Sequence, residues 1–289
     1  MVEQKYIRYN VGNMKITWQN TMSKILPIVE LYRCVQSEGS RFGIPTIAVR
    51  TTGCTHRCYF GEGGWCDSWY TSIHPEKGKY TMKDVKNIYK YNPHVKEMML
   101  TGGSPSMHRD LVNNLMHFAH QRGIFVTMET EGSHAIQTDI PIDLISLSPK
   151  FSNSVPVVGT KTPKGKIVDQ KFVDVHNRMR LNYSTMEELL SYHSDYHFKP
   201  VWDGTEEILN EIEEFRYRLN IPKSKTYIMP AGDTRETLIK MYPKVFELCA
   251  ARGYRMTGRD HIIAFDLSLI HISEPTRRTP ISYAVFCLK

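Results

Sequence analysis

The stretch from Pro45 to Ser68 reads Pro-Thr-Ile-Ala-Val-Arg-Thr-Thr-Gly-Cys-Thr-His-Arg-Cys-Tyr-Phe-Gly-Glu-Gly-Gly-Trp-Cys-Asp-Ser. Its first seven residues, 45–51, are rich in β-branched side chains and predict a strand. A loop follows, from Gly53 to about Gly78, and three cysteines lie within thirteen of its residues. Glycines among them let the backbone fold tightly around a bound centre. The stretch therefore predicts a strand that leads directly into a ligand-binding loop.

Strands and helices are predicted to alternate on both sides of this stretch. Strands are expected over 28–35, 95–100, 123–128 and 144–147, with helices over 81–91 and 108–122. Thr81 and Asp84 form a capping-box-like helix start, and Gly123 is well placed to end the second helix. Such alternation is typical of parallel βαβ units. Periodicity fits a doubly wound sheet equally well, and the α/β fold expected here is an incomplete TIM-like barrel with outer helices. In either architecture, ligands gather at the carboxyl ends of the strands.

The second half of the chain is predicted to continue the alternation after a long irregular segment. Phe151 to Gln170 is rich in Pro, Gly, Lys and Val and lacks a helical period, so it is expected to be a loop. Helices over 185–194, 205–219 and 234–252 and strands over 196–202, 225–229 and 259–265 are expected to follow. Pro243 is expected to kink or shorten the last helix.

Length and composition are those of an ordinary globular protein. The chain has 289 residues, 41% hydrophobic and 23% charged, which excludes disorder or a coiled coil for the whole chain. It has no run of 18 apolar residues and its start has no apolar leader, so no membrane span, no signal peptide and a cytoplasmic location are expected. In that reducing setting its six cysteines suggest metal binding or catalysis before disulfides. The net charge of +7 is scattered, which does not favour a nucleic-acid partner.

Three regions are predicted along the chain. Residues 1–24 form a polar N-terminal arm, and no clean linker interrupts 25–266, which is expected to be a single domain. Residues 267–289 form a tail in which Ile281 to Leu288 resembles the translation of a common sequencing-library adapter. We expect this tail to be a non-native read-through; a natural strand is the alternative. Removing it would take away three basic residues and one acidic residue and change the net charge from +7 to +5.

Cys54, Cys58 and Cys66 are spaced to hold one soft metal centre, and three interpretations compete. A structural zinc site needs four protein ligands, and His56 or His74 would supply the fourth. Three unrelated buried thiols are the second interpretation. The third is an iron–sulfur cluster, in which three thiolates leave one of four irons free for another molecule.

The cysteine loop resembles that of the radical S-adenosylmethionine superfamily. The usual pattern there is Cys-x3-Cys-x2-Cys, whereas seven residues separate Cys58 from Cys66 here. Trp65-Cys66 keeps the aromatic-Cys ending. This departure is an insertion of five residues, which leaves the three ligands available.

Six segments, in order, resemble the 7-carboxy-7-deazaguanine synthase family of that superfamily. The segments are Gln36-Ser-Glu-Gly39, Gly43 to Cys54, Trp65-Cys-Asp-Ser68, Leu100-Thr-Gly-Gly-Ser-Pro105, Glu129-Thr-Glu-Gly132 and Leu147-Ser-Pro-Lys150. They cover roughly residues 25–150. The family has Glu where this chain has Ser104, Ser where it has Glu131, and Thr where it has Ser68.

The resemblance implies the cofactors and the reaction. A 4Fe–4S cluster on Cys54, Cys58 and Cys66 would reduce S-adenosylmethionine, and the 5′-deoxyadenosyl radical would abstract hydrogen from 6-carboxy-5,6,7,8-tetrahydropterin. Ring contraction and loss of ammonia would give 7-carboxy-7-deazaguanine, with no catalytic side chain beyond the cofactor radical. The family also implies Mg²⁺, a flavodoxin-like electron donor and a homodimer.

The resemblance also implies a role for each matched residue. Those expected to bind the pterin are Gln36, Glu38, Arg50 and Thr101. Those expected to bind S-adenosylmethionine are Trp65, Gly102, Gly103, Ser104, Glu129, Ser148 and Lys150. Ser68 would lie at Mg²⁺. Without the family's Glu, Ser104 is expected to bind the cofactor's ammonium more weakly unless another acid helps, and Glu129 is the candidate.

Each role has a structural alternative. Gln36 and Glu38 would otherwise lie in a solvated turn, Arg50 in a structural salt bridge, and Glu129 at an exposed strand end. Ser148 and Lys150 would otherwise belong to a loop anchored by Pro149. Two other functions compete: a glycyl-radical activase using the same cluster, which would not need Gln36, Glu38 and Arg50, and a zinc-stabilised nucleic-acid-binding protein.

Overall fold

Strands and helices alternate through residues 23–61 and 64–265, the part of the chain described by the computed structural model. The strands are β1 (Ile28–Val35), β2 (Pro45–Thr51), β3 (Glu97–Gly102), β4 (Phe125–Thr130), β5 (Leu144–Leu147), β6 (Tyr196–Phe198), β7 (Val201–Trp202), β8 (Tyr227–Pro230) and β9 (Arg255–Met256). The helices are α1 (Trp69–Ser72), α2 (Met82–Tyr91), α3 (Arg109–His120), α4 (Gln170–Met179), α5 (Tyr183–Tyr192), α6 (Glu206–Arg218), α7 (Arg235–Arg252) and α8 (Asp260–Phe265). The tail predicted over 267–289 lies outside the described residues, as does the arm predicted over 1–24 except for Ser23 and Lys24. No described helix is both long and apolar enough to cross a membrane.

The strands lie side by side in chain order. One sheet has the order β1-β2-β3-β4-β5-β6, a second has β7-β8-β9, and a single parallel bridge between Phe198 and Thr226 joins their ends. Every pair from β2 onward is parallel, which confirms the predicted incomplete α/β barrel. β1 is the exception and pairs antiparallel with β2. The nine residues between them are too few for the crossover that a parallel pair needs.

The outer face of the sheet packs against the helices and forms the core. Alternate residues of β2, β3 and β4 are fully buried there, among them Ile47, Val49, Met98, Leu100 and Met128. Because side chains alternate along a strand, the intervening residues point to the inner face. The apolar helix faces cover one side of the sheet, and the polar positions of the same strands are left to line the interior.

Helix α2 begins as predicted. The Thr81 hydroxyl accepts from the Asp84 backbone N–H at 3.4 Å, and the Asp84 carboxylate accepts from the Thr81 N–H at 2.8 Å. This reciprocal pair satisfies two donors that the first helical turn would otherwise leave open.

The structure corrects several predicted elements in the second half. The strand expected over 196–202 is divided at Lys199-Pro200, because proline has no N–H for the ladder. Helix α7 continues through Pro243 and is not shortened. Helix α4 was not expected, although Asp169 caps it by accepting from the Phe172 N–H at 2.8 Å.

The strand expected over 259–265 is instead helix α8. Its short apolar run, Ile262 to Phe265, fits either element by pattern alone. The strand at this place in the barrel is β9, which ends at Met256.

Candidate functional site

A row of polar side chains crosses the inner face of the sheet. Arg50 pairs in register with Thr101, Glu129 pairs with Ser146, and Ser146 pairs with His197. The Thr101 hydroxyl donates to the Glu129 carboxylate at 2.6 Å, which joins the two halves of the row. The strand register therefore places predicted site residues from β2, β3 and β4 at one level of the interior.

Lys199 joins two of the predicted acids. Its ammonium donates to Glu129 at 2.8 Å and to Glu38, and Lys199 is only 4% exposed. Glu129 is therefore not an exposed strand-end acid, and Glu38 is not in a solvated turn. Lys199 was not predicted, because a lysine between Phe198 and Pro200 matches no motif.

The charges in this group hold one another ionised. Burial by itself would raise the pKa of the Glu38 carboxyl, but Lys199 and Arg259 outweigh it and hold that pKa well below its usual range. The pKa of Glu129 is lowered in the same way, against the effect of burial, chiefly by Lys199. Burial opposes the charge on Lys199, yet the two carboxylates raise its pKa. Two carboxylates and an ammonium thus face the interior as ions.

Arg259, which immediately precedes α8, contacts the same buried acids. Its guanidinium donates to Asp67 at 2.7 Å, to Glu38 at 3.4 Å and to the Gly232 carbonyl at 2.6 Å. His261, two residues on, pairs through Nδ1 with the Ser37 hydroxyl at 2.9 Å, while its buried Nε2 has no hydrogen-bond partner among the described residues. Both were missed because the segment was expected to be a strand. The cluster of charged and polar side chains at Arg259, Asp260 and His261 was the available signal.

Arg50 is buried and fully engaged by its neighbours. Its guanidinium donates to Glu30 at 2.7 Å, to the Ser68 hydroxyl at 3.1 Å and to the Tyr32 hydroxyl at 3.1 Å. The structural salt bridge weighed as the alternative is therefore present. Ser68 in turn donates to Asp67 at 3.1 Å. We call the resulting continuous set the charge network: Glu30, Arg50, Ser68, Asp67, Arg259, Glu38, Lys199, Glu129 and Thr101.

Gln36 and Trp65 lie apart from the charge network. The Gln36 amide donates to Glu97, at the start of β3, over 3.1 Å, and Arg41 pairs with the same carboxylate. The Trp65 indole N–H donates to the Lys161 carbonyl at 2.9 Å, and its ring packs edge-on against Phe172. In this structure, therefore, Gln36 secures the amino end of the sheet and Trp65 secures the cysteine loop.

The cysteine loop lies beside the charge network. Cys54, Cys58 and Cys66 are free thiols, and the Cys66 N–H donates to the Cys58 carbonyl at 3.1 Å, which draws the insertion back on itself. The backbone on either side of the insertion is therefore hydrogen-bonded, which keeps Cys58 and Cys66 close together. Burial raises the pKa of all three thiols, that of Cys66 to about 11. Since thiolates are the metal ligands, a bound centre must displace these protons.

The positions of the ligand atoms bear on the kind of metal. The grouping within the described residues that suits a single ion is Cys54, His56 and Glu131, whose ligand atoms lie within 4.8 Å of one another. The three cysteines do not meet that criterion together. His74, the other candidate zinc ligand, pairs with the Thr162 hydroxyl at 3.1 Å. The three thiols therefore form no single-ion site of their own among the described residues.

Gly102 and Gly103 fasten the loop to the end of β3. A Cβ atom on Gly102 would overlap the Thr51 carbonyl, and one on Gly103 would overlap the Gly53 carbonyl. The Ser104 N–H donates to that Gly53 carbonyl at 2.7 Å. Close approach of the backbone around the first cysteine requires both glycines.

Ser104 points to an acid, but that acid is not the expected Glu129. The Ser104 hydroxyl, fully buried, donates to the Glu131 carboxylate at 2.8 Å. Lys150, beyond β5, donates to the Ser148 hydroxyl at 3.3 Å. These two pairs lie at the carboxyl ends of the strands, as expected for groups that meet a ligand.

Curated relatives match most of the chain, although no protein-family model does. A 7-carboxy-7-deazaguanine synthase of Halobacterium salinarum is 34% identical over 241 residues, or 82% of this chain and 89% of the relative. Another, of Rhodopirellula baltica, is 32% identical over 237 residues, or 82% of this chain and 85% of the relative. Among solved structures, QueE from Escherichia coli superposes with a TM-score of 0.57 at 18% identity, covering 86% of this chain and 98% of that one, which supports the fold.

Proposed function

Because the chain belongs to the 7-carboxy-7-deazaguanine synthase family, we propose that its cysteine loop and charge network form the active site for that reaction. The protein is a lyase of 7-deazapurine biosynthesis. The observation that carries the assignment to this site is the junction of two features at the carboxyl ends of the strands. A loop of three free cysteines there adjoins a buried set of ionised groups.

The cysteine loop suits a 4Fe–4S cluster. Cys54, Cys58 and Cys66 would hold three irons, and the fourth would be open to S-adenosylmethionine. Together the two cofactors supply the one-electron chemistry that starts the ring contraction. Gly102, Gly103, Ser148 and Lys150 lie at the neighbouring strand ends, where they would hold and orient S-adenosylmethionine.

The charge network suits the pterin. Glu38 and Glu129 present carboxylate oxygens to the amino and amide edge of the ring, which is rich in N–H donors. Lys199, Arg259 and Arg50 place cations within the same group, where the pterin carboxylate needs a counter-charge. Thr101 orients Glu129 through its hydroxyl. These residues bind and orient, and none of them is required to carry the radical.

Ser68 and Asp67 offer the oxygens for Mg²⁺. The Ser68 hydroxyl is 3.1 Å from Asp67, whose carboxylate also reaches the cation Arg259. Mg²⁺ takes one or two carboxylates and completes its shell with water and substrate oxygens. An ion here would bridge the cysteine side of the site to the pterin side. A homodimer, a flavodoxin-like electron donor and a cytoplasmic location belong to the same proposal.

Cysteine variants test the proposed cluster. The chain is reconstituted anaerobically with iron and sulfide, and iron, sulfide and zinc are counted. We expect about four irons per chain and a paramagnetic signal of the reduced protein that shifts on addition of S-adenosylmethionine. Cys58→Ala is expected to lose most of the iron. Cys249→Ala is the matched control, since Cys249 is buried in the α7 packing, far along the chain from the loop.

The loaded enzyme is then given 6-carboxy-5,6,7,8-tetrahydropterin. Formation of the deazapurine supports the assignment, and an intact cluster with no deazapurine argues for a different radical enzyme, such as a glycyl-radical activase. One zinc and no iron would remove the radical chemistry altogether.

A further inference from the structure

Two positions of the chain exchange side chains relative to the family pattern. Residues 101–105 read Thr-Gly-Gly-Ser-Pro where the family has Thr-Gly-Gly-Glu-Pro, and residues 129–132 read Glu-Thr-Glu-Gly where it has Glu-Thr-Ser-Gly. The two altered side chains touch: the Ser104 hydroxyl donates to Glu131 at 2.8 Å. One carboxylate and one hydroxyl are therefore kept at the same place, each supplied from the other strand end.

Glu131 is buried and incompletely paired. It is 5% exposed, and its Oε1 accepts from the hydroxyls of Ser104 and Ser133. Its Oε2 is buried with no hydrogen-bond partner among residues 23–61 and 64–265. His56 Nδ1 lies 3.7 Å from Oε1, but burial lowers the pKa of His56 to about 3, so this ring is neutral and supplies no counter-charge. A buried carboxylate oxygen that accepts no hydrogen bond costs free energy. Oε2 is therefore available to accept a hydrogen bond from a cationic group of a ligand.

Glu131 lies beside the cysteine loop. Its ligand oxygen lies within 4.8 Å of both Cys54 Sγ and a His56 ring nitrogen, beside the first cysteine of the loop. Both carboxylate oxygens of Glu129 already accept hydrogen bonds, one from Lys199 at 2.8 Å and the other from Thr101 at 2.6 Å. Among the acids at this strand end, Glu131 is the one that combines a buried free oxygen with contact to Ser104.

We propose that Glu131 takes the α-ammonium group of S-adenosylmethionine, with Ser104 holding the carboxylate in place. The inference rests on the proposed function. It replaces the expectation that Ser104 alone weakens the cofactor contact: the charge is retained and comes from the neighbouring strand. Ser104 is a positioning residue, and Glu131 is the binding residue.

The test measures cofactor binding rather than turnover. Glu131→Gln and the reversed double variant Ser104→Glu/Glu131→Ser are reconstituted anaerobically, and iron content is measured first. S-adenosylmethionine binding is then titrated by calorimetry, together with an analogue whose α-amino group is replaced by hydrogen. Loss of a charge-assisted hydrogen bond is expected to weaken S-adenosylmethionine binding about 10- to 100-fold in Glu131→Gln, with iron retained. Binding of the deaminated analogue is expected to change little, and the double variant is expected to recover S-adenosylmethionine affinity.

Three results would overturn the proposal. Glu131→Gln with full iron and wild-type affinity for S-adenosylmethionine would show that the carboxylate does not bind the ammonium. Equal weakening of S-adenosylmethionine and the analogue would show that Glu131 acts on the loop and not on the ammonium. A wild-type protein that takes up zinc and no iron would reject the proposed function and this inference with it, whereas the first two results leave the proposed function standing.

Discussion

At the residue scale, Lys199 is the cation that pairs with two of the predicted site acids. One ammonium lies between Glu38 and Glu129, which come from segments of chain far apart in sequence. Without Lys199, the partly buried carboxylates of Glu38 and Glu129 would have no ammonium between them. Glu38 would still be paired with Arg259. Removing one member of a buried ion group costs more than the group contributes when intact, because the remaining charges stay desolvated.

Replacing Lys199 by methionine should therefore destabilise the protein strongly. We expect Lys199→Met to lower the free energy of unfolding by about 3 kcal/mol, the low end for a buried pair, because Glu129 keeps some contact with solvent. Lys225→Met is the matched control: its pair with Asp195 is exposed, so the loss should stay under about 1 kcal/mol. Urea unfolding of the metal-free protein measures both, and equal losses would contradict the buried role of Lys199.

The site residues found from the sequence are those that lie in motifs. Cys54, Glu38, Thr101 and Glu129 were predicted, and the structure brings the last three together through Lys199. Lys199 itself was not predicted, since its role depends on strand register, which a single sequence does not encode locally. The same limit applies to Glu131: the sequence shows an acid there, but only the fold shows that it touches Ser104.

At the scale of elements, His193 fastens the end of α5 to the segment that enters β5. Its Nδ1 accepts from the Ile142 N–H at 3.1 Å, and its Nε2 donates to the Ile136 carbonyl at 3.0 Å. The bond to Nδ1 requires the neutral ring, and burial lowers the pKa of His193 to about 4 from the ordinary value near 6.5. Between those two values the unfolded chain binds a proton that the folded protein does not.

Stability should therefore fall as the pH drops from 6.5 to 4, and His193 should account for part of the slope. Because the unfolded state holds more protons in this window, the free energy of unfolding rises with pH, by at most about 1.4 kcal/mol per pH unit for one group. His193→Gln should be less stable at pH 7 and show a shallower slope, whereas exposed His120→Gln should leave the slope nearly unchanged. Denaturant unfolding at several pH values measures this, and parallel curves for His193→Gln and the wild type would be the contrary result.

The elements that the sequence predicted well have strong local signals. β1, β2 and β5 were predicted at their observed bounds, and the Thr81–Asp84 capping box placed the start of α2. The strand predicted over 259–265 was wrong because length and period do not separate helix from strand in so short an apolar run. The antiparallel pairing of β1 follows from a short connection, a signal that was present in the spacing of the two strands.

At the scale of the whole molecule, one core joins β1 to α7. Buried apolar side chains form a single cluster that runs from Leu26 to Tyr254. A contiguous core favours one cooperative unit, and the single domain over 25–266 stays a prediction.

Unfolding should accordingly be a single transition. We expect far-ultraviolet circular dichroism and tryptophan fluorescence of the metal-free protein to give the same urea midpoint, because strands and helices from β1 to α7 contribute to that core. The two probes report on different features, since circular dichroism follows the backbone of all the helices whereas fluorescence follows four tryptophans, among them Trp65 and Trp69 near the cysteine loop and Trp202 in β7. Midpoints that differ clearly between the probes would argue for two units.

The contacts that close the charge network also set the order in which the site is made. Glu38 meets Arg259 across 221 residues of chain, and the Gly39 N–H donates to Thr257 across 218. At a synthesis rate of roughly 5–20 residues per second, the early segment waits roughly ten to forty seconds for its partners. The three loop cysteines, Cys54, Cys58 and Cys66, are synthesised long before Lys199 and Arg259. In a nascent chain the three loop thiols are therefore open to metal ions or to oxidation before the two cations that complete the charge network have been translated.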